Sequence, residues 1–243
     1  ICCNFDREVF HLNNAFSKPL KARLRGPRIF RRITDPERYG GPGKRLFNIE
    51  LGPGVGYQDV AAMRKQVLVT NVENVKLARV ASGPLLHGGA HGLIGRSRER
   101  RSVLVLRDAF NTFASVARGK RRMRARLMSF YRTEWKSYAR EFLGETAHLP
   151  TDTVKVSFNS WFLDPAYRAG IAESLGLDHS ERGVGDVGSD GGGSSFEGRE
   201  FDQRAQDMKV LERWRLLAHD PVYVASLDRE TVELSNAIFG DVT

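Results

Sequence analysis

Residues 102–115 read Ser102-Val103-Leu104-Val105-Leu106-Arg107-Asp108-Ala109-Phe110-Asn111-Thr112-Phe113-Ala114-Ser115. The aliphatic run Val103 to Leu106 predicts a short strand buried on both faces, and it stops at Arg107. Asp108 is placed to cap a helix, and Phe110, Phe113, Ala114 and Ala117 recur at helical spacing. The stretch therefore predicts a strand, a charged elbow and an amphipathic helix. Residues at the carboxyl end of a parallel strand face the ligand crevice of an open α/β sheet, and the next helix turns its free N–H groups toward it. Arg107 adds a planar fork suited to phosphate. Ser115 offers a hydroxyl about 10 Å further along the helix axis, at ~1.5 Å per residue. The alternative reading is a helix cap with a surface salt bridge, which any α/β protein can carry.

Outward from this stretch, strands and helices alternate. Val9 to Leu12, Leu46 to Leu51, Gln66 to Val72 and Val154 to Phe158 read as strands. Helical segments are expected around Tyr57 to Arg64, Glu73 to Ala81 and Asp202 to Leu217, and from the Asp164-Pro165 start to Gly176. A long helix opens in the basic cluster Arg118 to Arg126. Met123, Leu127, Tyr131, Trp135, Tyr138 and Phe142 give it an apolar stripe. Asp220 and Asp228 cap two short terminal helices. Such alternation predicts a mostly parallel sheet with helical crossovers; the length suits one large domain or two small ones, and one α/β domain over residues 1–243 is the expectation.

With 41% hydrophobic residues among 243, the chain can bury a full core. No apolar run reaches the ~20 residues of a membrane span. Cys2 and Cys3 are adjacent and cannot build a disulfide framework, so a reduced, cytoplasmic protein is expected. The net charge of +9 calls for an anionic partner without choosing among nucleic acid, an acidic polymer and a phosphate-rich ligand. Lys18 to Arg32 is a basic loop interrupted by Pro19 and Pro27, readable as a solvated arm or as a wall of an anion cleft. Gly40-Gly41-Pro42-Gly43-Lys44 lacks the hydroxyl and the glycine spacing of a Walker loop and reads as a turn. His87 and His91 sit among glycines with no third ligand nearby, and no metal is expected.

Residues 177–201 form a glycine-rich, flexible loop by composition. Within it, Gly191-Gly192-Gly193-Ser194-Ser195-Phe196 carries more than a linker needs. Glycines let backbone N–H groups converge on one anion, two hydroxyls can join them, and an aromatic ring can cover a purine.

The run RDAFNTFAS, Arg107 to Ser115, resembles the second phosphosulfate-binding motif of the PAPS-dependent sulfotransferases, close to bacterial members of that family. The resemblance extends to the Leu175-Gly176 helix end and the GGGSSF loop. It implies a P-loop-type three-layer sandwich with a mostly parallel central sheet flanked by helices. It also implies a cofactor, 3'-phosphoadenosine 5'-phosphosulfate (PAPS) or its product PAP. Arg107, Ser115, Gly192, Gly193, Ser194, Ser195 and Phe196 would bind that nucleotide. Its reaction is transfer of a sulfuryl group to a hydroxyl or amine acceptor, carbohydrate being one candidate, with no metal needed. The family's N-terminal strand and phosphosulfate loop have no counterpart in this sequence. The expectation is therefore a domain missing that part and inactive in transfer as given. No catalytic base stands out, although Glu73 and His11 lie at strand ends. The alternative is a non-enzymatic basic protein binding nucleic acid or acidic polysaccharide. It accounts for the charge but not for the Arg107 to Ser115 spacing, so nucleic acid is not the expected partner.

Overall fold

Alternating strand and helix segments produce parallel pairing wherever strands are seen. The computed structural model describes residues 9–13, 46–50, 67–71, 75–83, 98–119, 124–181, 183–187 and 193–242. The chain falls into two compact units. One comprises Ile1–Arg101 with Ala172–Gly183, and the other Ser102–Ile171 with Val184–Thr243. The basic loop from Lys18 to Arg32, the glycines at 40–43, the Tyr57 to Arg64 segment, Glu73, His87 and His91 lie outside the described residues.

In the first unit, β1 (Val9–Asn13) lies between β2 (Leu46–Glu50) and β3 (Val67–Thr70), parallel to both. Residues Leu77–Ala81 form the short helix α1. Its Leu77 is buried.

In the second unit, β4 (Val103–Leu106) pairs parallel with β5 (Val154–Ser157), Val103 facing Val154 and Leu106 facing Ser157. Parallel neighbours need a long crossover, and helices α2 (Ala109–Gly119) and α3 (Arg124–Leu143) supply it. Strand β5 runs directly into α4 (Phe158–Leu163), followed by α5 (Pro165–Ser174). The chain ends in α6 (Pro221–Val224) and α7 (Arg229–Phe239). All of the strand pairs described are parallel, so a mixed α/β fold is what the chain forms. Among the described residues no helix is long and apolar enough to cross a membrane.

The core of the second unit is where α2, α3, α6 and α7 meet. Ala109, Phe113 and Ala114 on α2 are fully buried, with Trp135 and Ala139 on α3, Tyr223 on α6 and Leu234 on α7 around them. Phe113 meets Trp135 edge to face, their centroids 6.2 Å apart. Each large side chain removed from water here contributes roughly 1.5–3 kcal/mol. The apolar stripe of α3 serves this core as expected, with Tyr131, Tyr138 and Phe142 partly buried against it.

The caps hold as the sequence indicated. Asp108 Oδ1 accepts the backbone N–H of Asn111 at 2.8 Å, Asp164 Oδ1 that of Ala166 at 2.8 Å, and Asp220 and Asp228 cap α6 and α7. Leu175-Gly176 ends α5. Gly176 adopts φ +66°, and the N–H of Leu177 returns to the carbonyl of Ala172 at 2.9 Å.

Three expectations are corrected. Strand β4 is not buried on both faces: Leu104 and Leu106 are buried, while Val103 and Val105 are 40% and 47% exposed. Side chains alternate along a strand, and it is on the face of Leu104 and Leu106 that Leu106 joins the helical core. The six-residue helix α4 was not foreseen; Ser157 caps it by accepting the N–H of Ser160 at 3.2 Å.

Asp202 to Leu217 is not a helix but a run of turns with two 3₁₀ segments, Ala205–Asp207 and Arg213–Leu217. The reason is competition for backbone groups. The Val210 carbonyl accepts from Arg107, the Leu211 carbonyl accepts from Asn111 Nδ2 at 2.9 Å, and the Trp214 N–H donates to Asn111 Oδ1 at 3.2 Å. An α-helix would need those same groups for itself. Val210, Trp214 and Leu217 still reach buried or partly buried positions.

Candidate functional site

Arg107 leaves the carboxyl end of β4 just before Asp108 caps α2. Its side chain is held from several sides. Nη1 points to Ser115 Oγ at 3.5 Å, the outer limit of a hydrogen bond. Nη2 donates to the carbonyl oxygen of Val210, and the guanidinium lies 5.2 Å over the Phe158 ring. Nε is buried with no hydrogen-bond partner. Burial pulls the pKa of Arg107 down to about 10. The charge of Asp108 opposes that fall, Arg213 adds to it, and Glu197 opposes it. The group is still a cation at neutral pH.

Ser115 stands two turns along α2, its hydroxyl donating to the Asn111 carbonyl at 3.0 Å. The sequence-predicted pair is thus brought together on one side of α2.

The glycine-rich segment contributes a closed turn. Ser194 and Gly198 exchange backbone hydrogen bonds of 2.8 and 2.9 Å as an isolated antiparallel bridge. Gly193 enters it at φ +92°, and a Cβ there would strike the Gly198 carbonyl. The hydroxyl of Ser194 accepts the N–H groups of Phe196 and Glu197, each at 3.2 Å, and donates to the Glu197 carboxylate. Ser195 is exposed. Gly192 lies outside the described residues.

Phe196 carries the turn to the rest of the site. Its ring is faced by the guanidinium of Arg118 at 5.2 Å and by that of Arg213 at 5.1 Å. Each such contact is worth about 0.5–2 kcal/mol, more where water is excluded. Arg213 is only 7% exposed. Its Nη2 donates to Ser194 Oγ at 2.7 Å and to Glu197 Oε2 at 2.6 Å, and its Nε is buried without a partner.

Two residues central to this arrangement escaped the sequence reading, Arg213 and Glu197. Arg213 sits inside the Val210, Trp214, Leu217 stripe, where a cation is out of place on an apolar face; that mismatch was the signal. Glu197 had none, because an acid beside glycines reads as solvated. The sequence reads Phe158 as the end of a strand. Instead it stacks on Trp161 and Phe162 at centroid distances of 6.0 and 6.1 Å, next to Arg107. His11 lies on β1, in the other unit.

The second unit therefore gathers Arg107, Ser115, Ser194, Phe196 and Arg213, with Asp108 and Glu197 as the acids nearby. Buried cations with unused N–H groups beside hydroxyl donors can bind an oxyanion. Among the described residues no group of three or more His, Cys, Asp or Glu is placed to hold a metal ion. Comparisons with protein-family models, with curated proteins and with solved structures found no match.

Proposed function

We propose that this chain is a sulfotransferase-like protein binding the ribose-phosphate end of PAPS or PAP, on a P-loop-type three-layer α/β fold. The observation that carries the reading is the convergence of Arg107 and Ser115 with the Gly193 to Phe196 turn, Arg213 being the neighbour both share. Arg107, just before α2, and Ser115, two turns along it, face one another. The turn that meets Arg213 lies much later in the chain.

In this reading the phosphate takes charge-assisted hydrogen bonds from Arg107 and Arg213 and neutral ones from Ser115 and Ser194. These contacts are equal before and during transfer, so they provide affinity rather than rate. Transfer itself moves the sulfuryl group from the phosphosulfate to an acceptor oxygen or nitrogen. The bond from sulfur to the bridging oxygen breaks, PAP leaves, and the acceptor proton passes to a base. A cytoplasmic setting goes with this reading.

The test is calorimetric titration of the full chain with adenosine 3',5'-bisphosphate and, for comparison, adenosine 5'-monophosphate. The bisphosphate should bind more tightly. Arg107→Ala should weaken it by about 1.5–3 kcal/mol, the value of a hydrogen bond to a charged group. Equal affinity for the two nucleotides, or a folded variant that binds unchanged, would remove the basis of the reading.

A further inference from the structure

We propose that Glu197 is an internal counter-ion holding the place of the ligand phosphate, and that an incoming phosphate displaces its carboxylate from Ser194 and Arg213. The inference rests on the nucleotide reading above and concerns how that site is kept when empty and how it is opened.

Taking the anion away from a buried ion pair is strongly destabilising. Arg213 is buried to 7% exposure, and Glu197 Oε2, at 2.6 Å from its Nη2, is the anion that meets it. The same oxygen receives the hydroxyl proton of Ser194. One carboxylate oxygen thus sits where a cationic fork and a hydroxyl both donate, which is what a phosphate oxygen requires. Arg107 senses the charges of both Arg213 and Glu197, so the carboxylate lies in the field of two guanidiniums while neutralising only one charge. The buried, unpartnered Nε atoms of Arg107 and Arg213 are donors that Glu197 leaves unused.

A phosphate monoester brings up to two negative charges and three oxygens, more than a carboxylate can offer. It cannot share the place with Glu197, because like charges at hydrogen-bond range repel strongly in a partly buried setting. Release of Glu197 has a ready route. Its side chain is 21% exposed, and the bridge that closes its turn is made by the backbones of Ser194 and Gly198. Rotation of the side chain into water leaves that bridge intact. The closed turn is therefore kept while its anion is exchanged.

The test uses the full chain, wild type beside Glu197→Gln and Glu197→Ala, with folding checked by circular dichroism. Each is titrated with inorganic phosphate and with adenosine 3',5'-bisphosphate. Removing the competing charge should tighten phosphate binding at least about fivefold in both variants. In the wild-type chain, the carbon-13 resonance of the Glu197 carboxyl should move on saturation with phosphate. Nucleotide binding by the wild type with equal or weaker binding by folded variants, or a carboxyl resonance that stays still when phosphate is bound, would overturn the counter-ion role and leave the nucleotide reading standing. Tighter phosphate binding by the variants with no binding of the bisphosphate by any chain would support the counter-ion and overturn the nucleotide reading. Absence of binding to both probes in all three folded chains would overturn both.

Discussion

The indole N–H of Trp135 donates to the backbone carbonyl oxygen of Arg107 at 2.9 Å. A core residue of α3 thereby fixes the residue at the end of β4 that carries the candidate site. Trp135→Phe removes the donor and leaves a void, at an expected cost of about 2–4 kcal/mol in denaturant unfolding. It should also weaken binding of adenosine 3',5'-bisphosphate. Leu234→Ala, a core truncation of similar cost, should leave that affinity unchanged. If both variants lose affinity alike, Trp135 acts through general stability and not through Arg107.

Asn111 is fully buried and serves three groups: Asp108 Oδ1 at 3.0 Å, the Leu211 carbonyl and the Trp214 N–H. Asn111→Leu keeps the volume and strands the two backbone groups. Each unpaired buried group costs about 1–3 kcal/mol, so a loss of about 2–5 kcal/mol is expected. Hydrogen exchange at the Trp214 amide should speed up more than exchange across α7. Uniform change in both places would show that the 211–214 segment is not held by this side chain.

Lys136 Nζ bridges Asp228 Oδ2 at 2.8 Å and Glu230 Oε2 at 2.7 Å, tying α3 to the start of α7. Burial alone would raise the pKa of Asp228, but the hydrogen bonds from Lys136 and Thr231 outweigh it and hold the group at about 2, below its ordinary 3.8. A folded-state pKa below the unfolded one means stability that is full above pH ~4 and is lost as pH falls toward 2. Asp228→Asn should flatten that part of the acid unfolding curve. The contribution is screened, since the Asp228 side chain is 38% exposed. At neutral pH Asp228→Ala, which also removes the cap of α7, should cost about 0.5–2 kcal/mol. An unchanged acid limb in Asp228→Asn would place the acid sensitivity elsewhere.

Strand β4 offers a test of its one-sided burial. Leu104→Ala and Leu106→Ala should each cost about 2–5 kcal/mol, whereas Val105→Thr should stay within about 0.5 kcal/mol. Urea midpoints of the three variants decide it. A large loss in Val105→Thr would mean that its face is covered.

Much of the second unit was legible in local sequence. The existence of the Val103 to Leu106 strand, the Asp108, Asp164, Asp220 and Asp228 caps and the helical period of α3 are set by neighbours within a turn or a strand, which local sequence signals report. The spacing of Arg107 and Ser115 was legible for the same reason: the Asp108 elbow and two turns of α2 set it.

Tertiary structure decided what happens where backbone groups have rival partners. Residues 202–217 have helical apolar spacing, yet Arg107 and Asn111, about a hundred positions earlier, take the carbonyls and the N–H that a helix would use. It also decided that Arg213, its guanidinium over the Phe196 ring, meets Glu197 across 16 positions of chain. Periodicity carries no trace of such a pairing. Removing one partner of a buried ion pair is costly, and which anion reaches the Arg213 guanidinium depends on how the turns close in space.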